Sequence, residues 1–376
     1  MMSSDEFEDA ICRQGAIVEY KPDWEETKKR YVAWWNHEEI GRAGICVTAP
    51  KDNTPDMREP SPQFDPANDP EYFWTDLDYW SEVNAWAHRR TFYGGEAFPS
   101  FSSGYPGHNS LPAFLGCPVE LKEDAGWLHP ILEDDTWNPE LFEIDTKGRW
   151  WEYAMDRARR LSVECSKSCI AEIGAFYTAG DTLAALRGNE RLMIDCIEQP
   201  DLVRKSLQAL FKIWCEMYET IRTEIAYSDG MTCWFTLWSP GTVYALACDF
   251  AYMISPKMFE EIFLPVIQQE TESLDHCIYH VDGVGNFNHV PALCELPGLN
   301  ALQILPGAGQ PSPLYFMDIL KHVQSRGKNL HITIPPEEAE QALESLSSRG
   351  LMINTTCRTE HEARQLLKNV QEWSHD

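Results

Sequence analysis

The sequence predicts an α/β protein, a (β/α)8 barrel of the TIM-barrel class with an N-terminal helical extension. Three observations carry that expectation: eight short apolar runs recur along the chain, amphipathic helical patterns fill the later intervals, and no Gly-rich GxGxxG fingerprint follows the first run, as a doubly wound dinucleotide fold would require. The 376 residues suffice for one large domain. Hydrophobic residues make up 43% and charged residues 24%, a globular balance that excludes disorder or low complexity for the whole. The expected division is residues 1–40 as extension and 41–376 as barrel.

The elements follow in order. Trp24 to Asn36 places Tyr31, Val32, Trp34 and Trp35 among Glu, Lys and Arg at a period nearer 3.6 than 2, which predicts a helix serving as a lid or flanking layer. Gly44 to Val47 is a short apolar run that stops at Pro-Lys-Asp-Asn, a buried-strand pattern, and residues 51 to 75 form a polar, proline-rich excursion. Further strands are expected at Ala97 to Phe101, Ser168 to Ile173, Met231 to Thr236, Cys277 to Val281, Ala301 to Leu305, Asn329 to Ile334 and Gly350 to Asn354. Helical patterns cover Leu192 to Ile197, Leu202 to Tyr227, Pro256 to Ser273, Leu314 to Arg326, Pro336 to Ser348 and Glu360 to Trp373.

Charge and cysteine usage narrow the setting. Against 59 Asp and Glu stand 31 Lys and Arg, a net charge of -28 that repels nucleic-acid backbones and anionic lipid, so neither is expected as a partner. No apolar run approaches the roughly 18 to 20 residues that span a bilayer, and Met1 to Cys12 is acidic where a signal peptide is basic and then apolar. A cytoplasmic location is expected. The 12 cysteines are scattered with no CxxC pair, as free thiols in a reducing compartment would be; Cys165 and Cys169 share a face if helical.

In a barrel, chemistry gathers at the carboxyl ends of the strands. There YHVDGVGNFNHV sets His280 and Asp282 two apart, on one face of a strand. The pair suits a divalent metal or an acid/base couple; an ordinary strand-end histidine beside an Asp-Gly turn fits equally. Cys357 ends the last strand at a helix start, a place for a thiolate ligand or nucleophile, or for a buried apolar thiol. His280 and Cys357 would meet only over a metal or a substrate. Glu172 and Asp249 lie in apolar runs, where a carboxylate needs compensation, from a substrate, a metal shell, or a base such as Arg187. Trp234 and Trp238 offer an aromatic wall that could hold a methylammonium group, or simple packing. His108 and His289 stand in Gly/Pro loops where solvation or capping is the expected role.

The segments PGHNSLPAFLG, GDTLAALRGNERLMIDCIEQPDLV, DFAYMISPKMFEEIFLPVIQQE, YHVDGVGNFNHVPALCELPGLNALQILPGAGQP and INTTCRTEHEARQLL resemble the uroporphyrinogen decarboxylase superfamily, in its decarboxylase-like branch near the corrinoid methyltransferases. The resemblance covers roughly residues 95 to 372 and implies a (β/α)8 barrel that often pairs as a homodimer. The decarboxylases bind tetrapyrrole propionates through an Arg-rich N-terminal motif, of which GRAGICVTAP keeps only Arg42. The methyltransferases hold zinc through His-x-Cys after strand five and Cys after strand eight. The matching positions here are His280 and Cys357, with Asp282 in place of the middle Cys, which implies a zinc site of His280, Asp282 and Cys357 with a harder donor set.

The resulting expectation is a methyltransferase that moves a methyl group between a small substrate and a corrinoid. No DxHxxG corrinoid motif occurs in the chain, so the cobalamin would ride on a partner protein. His280, Asp282 and Glu172 are the expected catalytic residues. Trp234, Trp238 and Tyr177 would shape the pocket, with Asp249 and Gln303 orienting the substrate. The alternatives are a metal-assisted decarboxylase or lyase of a small acid, with His280 and Asp282 handling protons, and a binding module without turnover.

Overall fold

Runs such as ALQIL, NLHIT and LMINTT are buried along most of their length, so both of their faces are covered, as in a parallel sheet flanked by helices. The computed structural model describes residues 19–52, 60–101, 110–165, 168–225 and 228–375. Its strands are β1 Gly44–Pro50, β2 Thr91–Gly95, β3 Ser100–Phe101, β4 Val119–Leu121, β5 Gly126–Leu128, β6 Ile170–Ala171, β7 Met231–Thr232, β8 Trp238–Ser239, β9 Val243–Ala247, β10 His276–Asp282, β11 Ala301–Leu305, β12 Asn329–Thr333 and β13 Leu351–Thr356.

The protein is α/β, with a seven-stranded central sheet ordered β2-β1-β13-β12-β11-β10-β9. Every pairing in it is parallel except β1 with β2. The first long strand thus lies beside the last. A second parallel piece, β3 with β6, is extended by one bridge from Glu172 to Thr232. The register sets His280 beside Gln303 and Gln303 beside His331, and His331 beside Met352, so these four side chains share one face at one level.

Several elements differ from the sequence expectation. β9 was not expected as a strand, yet it pairs with β10 and is buried along most of its length. The expected strands at 97–101, 168–173 and 231–236 shrink to two-residue ladders. Pro256 to Ser273 is not one uniform helix: α-helix at Pro256–Met258 gives way to a π-helical turn at Phe259–Phe263 and resumes at Leu264–Glu272. Pro265 lacks the N–H that an α-helical bond to Glu261 needs, and the wider turn accommodates that gap.

The helix Trp24–Trp35 is a floor rather than a lid. Its indoles donate to Asp229 Oδ2 from Trp24 (2.8 Å), to Gly350 O from Trp34 (2.9 Å) and to Trp238 O from Trp35 (2.8 Å). Trp35 also stacks on His276, the first residue of β10, with centroids 4.7 Å apart. These partners stand at or before the amino ends of strands, opposite the end that carries Asp282. Beside the floor, Glu96 is fully buried and accepts from Arg42 Nη1 and Nη2, both at 2.8 Å, and from Ile45 N at 2.7 Å. Gly95 makes the approach possible: its φ is +61°, and a Cβ there would lie 2.0 Å from Ile45 O. Among the described residues no helix is long and apolar enough to cross a membrane.

Candidate active site

Each acid of the site follows the carboxyl end of a strand. Glu172 comes directly after β6, Asp249 opens a 3-10 turn just beyond β9, and Asp282 is the last residue of β10. Among the described residues, Asp249, His280 and Asp282 form a group whose ligating atoms lie within 4.8 Å of one another. Asp249 and His280 border a cavity of about 360 Å³ that Glu172, Phe176, Tyr177, Asp181 and Trp234 also line, while Asp282 lines a neighbouring one.

His280 is 8% exposed and is held on three sides. Its Nδ1 lies 2.5 Å from Gln303 Oε1. An amide oxygen only accepts, so Nδ1 donates to it, and Nε2 faces Asp282, 3.9 Å from its Oδ2. The Trp234 ring meets the imidazole edge-on at 5.0 Å and Phe235 lies at 5.2 Å. A histidine oriented through one nitrogen and free at the other is the arrangement metal sites use. Gln303 therefore positions His280 rather than facing a substrate.

The carboxyls crowd one another. Burial first, and then the charge of Asp249, push Asp181 up to about 7 against the Phe250 N–H, which donates to Asp181 Oδ1 at 3.2 Å. Asp249 is also raised, by withdrawal from water; His280 opposes that and Asp282 adds to it. Burial raises Glu172 against the pull of Arg157, whose Nη2 stands 3.9 Å from Glu172 Oε1 and donates to the Glu172 carbonyl at 3.1 Å. Arg187 plays no part here: its Nε is bonded to Asp195 Oδ2 at 2.7 Å.

The remaining expected residues lie elsewhere. Cys357 is not in the Asp249–His280–Asp282 group, and its thiol is pushed up rather than down, by burial and then by Glu362 and Glu337, which disfavours a ready thiolate. Trp238 is buried under the floor helix, donating to Asp229 O at 2.6 Å with its ring edge-on to Trp24, and does not line the cavity. Tyr177 does line it. His289 is buried rather than solvated, its Nε2 2.9 Å from Ala251 O. His108 lies outside the described residues. Arg42, committed to Glu96, is not free to bind a propionate.

Asp181 was not expected. It is the third residue of the helix Ala179–Arg187, where an acid ordinarily complements the helix dipole, so the sequence signal reads as capping. Behind it, Glu270 is 1% exposed and accepts from Ala179 N at 3.0 Å. Burial pushes its carboxyl up to about 8, the Ala179 N–H opposes and Asp181 adds. Because its folded value lies above the unfolded one, the folded protein holds a proton that the unfolded chain releases. Its stabilisation is full below the ordinary Glu range near pH 4.5 and declines as pH rises to about 8. Glu270→Gln, which can still accept from Ala179, is expected to remove roughly 1.4 kcal/mol per pH unit from the downward slope across that window. Urea denaturation at pH 5, 6, 7 and 8 measures it, and parallel slopes for the two proteins would contradict the assignment.

No protein-family model matches the chain, and neither does any curated protein. Its fold is similar to that of a methyltransferase from Methanosarcina mazei, with a TM-score of 0.60 at 14% sequence identity, covering 92% of this chain and 98% of that one.

Proposed function

We propose that the protein is a metal-dependent methyltransferase that exchanges a methyl group between a small substrate and a corrinoid carried by a separate protein, built as one (β/α)8 barrel from residue 41 onward. The observation that carries this reading is the Asp249–His280–Asp282 group at the strand ends of a fold similar to a methyltransferase. The pairing of β1 with β13 supports the barrel, since a closed barrel sets first strand against last.

The donor set fits a divalent cation. One imidazole nitrogen and two carboxylates can hold zinc, and the two negative charges balance it. A metal bound there would supply Lewis acidity that lowers the pKa of a substrate thiol or hydroxyl. The chain does the rest. Gln303 orients His280, Trp234 and Phe235 hold its ring, and Asp181, a carboxyl raised by burial beside Asp249, can take up or release the substrate proton. A decarboxylase or lyase of a small acid shares the proton chemistry but suits the cavity less well, because among the described residues no Lys or Arg lines it to receive a carboxylate.

The test uses free methylcobalamin as methyl donor, with a panel of thiols, alcohols and amines, followed by the cobalamin spectrum and by mass of the methylated product. Zinc-loaded protein should speed demethylation and metal-stripped protein should not. Equal rates with and without metal, or decarboxylation of a small acid with no methyl transfer, would overturn the reading.

A further inference from the structure

A second cavity, of about 430 Å³, adjoins the first. The two share Tyr177, Asp181 and Asp249, which form a waist between them. The outer cavity is walled by Trp127 and Leu128 of β5, by Ala184 and Ala185 of the helix Ala179–Arg187, and by Phe250 and Met253 of the turn after β9. Trp127 and Met253 are 54% and 40% exposed, large apolar side chains turned to water at the rim.

We propose that the two cavities form one elongated site for an uncharged organic molecule: its reacting thiol, hydroxyl or ether lies in the inner cavity and its apolar body extends past the waist into the outer one. The inference deepens the methyltransferase reading, since it takes from it the metal that balances Asp249 and Asp282. Three features select the ligand class. Among the described residues no Lys or Arg lines either cavity, while Glu172, Asp181 and Asp249 do, so an anion finds no basic side chain and meets like charge. Lys122, whose ammonium is 6.0 Å from the Trp127 ring centroid, pairs with Glu120 at 3.4 Å and lies outside the lining. With the metal's charge matched by two carboxylates and Glu172 facing Arg157, an organic cation gains little either. What remains is apolar area, and Ala184 and Ala185 open the helix side of the outer cavity where larger side chains would fill it.

The test is calorimetric titration of the full-length, zinc-loaded protein with three probes of matched length: 4-phenylbutan-1-ol, 4-phenylbutanoate and 4-phenylbutylammonium. The alcohol should bind at least about tenfold tighter than either charged analogue. Ala185→Trp, which fills the outer cavity, should weaken the alcohol about tenfold or more. Trp127→Ala, at an exposed position that leaves folding undisturbed, should weaken it severalfold. Tightest binding by the carboxylate or the ammonium overturns the ligand class, and alcohol binding indifferent to both variants overturns the outer subsite. The titration run beside the methyl-transfer assay on zinc-loaded protein separates the two readings: Ala185-sensitive binding of the alcohol by zinc-loaded protein that transfers no methyl group would end the methyltransferase reading and leave the subsite standing.

Discussion

Replacing His280 with Ala should strip the metal from the protein. Elemental analysis of anaerobically purified material is expected to fall from about one zinc per chain to almost none, and methyl transfer to fall by more than about 100-fold, beyond the 10- to 100-fold that loss of an outer partner costs. Asp249→Ala should behave the same way, because the Asp249 carboxylate stands with His280 and Asp282 within 4.8 Å. Gln303→Ala should keep the metal but bind it roughly 10- to 100-fold more weakly, since the imidazole loses the acceptor 2.5 Å from its Nδ1. Cys357→Ala should keep full metal content. Zinc lost with Cys357 and kept without Asp249 would reverse the assignment and restore the His-Asp-Cys set that the family resemblance implies.

The second large effect lies at the other end of the sheet. Glu96→Ala should cost about 3 to 5 kcal/mol, because it strands Arg42 in a buried site with no counter-charge and leaves the Ile45 N–H without its acceptor. Arg30 Nε, 3.6 Å from Glu96 Oε1, is partly exposed and can turn to water, whereas the Arg42 side chain is only 10% exposed. The double variant Glu96→Leu with Arg42→Met removes both charges together and should recover most of the loss. Denaturant midpoints of the single and double variants measure this. A Glu96→Ala protein within about 1 kcal/mol of wild type would show that water reaches the pair.

Much of the site was legible in the chain because a strand announces its own end. His280 and Asp282 close an apolar run, and alternation alone puts both on one face. Cys357 closes an apolar run too, yet it does not join them, and the reason is parity. Met352 shares the level and face of His280, and Cys357 lies five residues further on, so alternation turns it to the opposite face, toward Glu337 of the turn after β12 and Glu362 of the helix that follows. Strand-end position predicted its height; only the register gives its side. β9 was hidden because VYALA runs straight into CDFAYMI, and a continuous apolar stretch has neither the period of a strand nor that of a helix. Asp181 was hidden behind a role it also fills, that of an acid in the first turn of a helix.

The pairing of β1 with β13 sets a schedule for synthesis. Thr48 and Thr356, whose hydroxyls meet at 3.0 Å, are 308 positions apart. A ribosome adding about 5 to 20 residues per second makes β1 wait about 15 to 60 s for its neighbour. Through that interval β2 satisfies one edge of β1 and the other stays open, a template for any strand on a nearby nascent chain. Shielding of that edge while the polypeptide grows is therefore a demand on the folding chain separate from the stability of the finished fold.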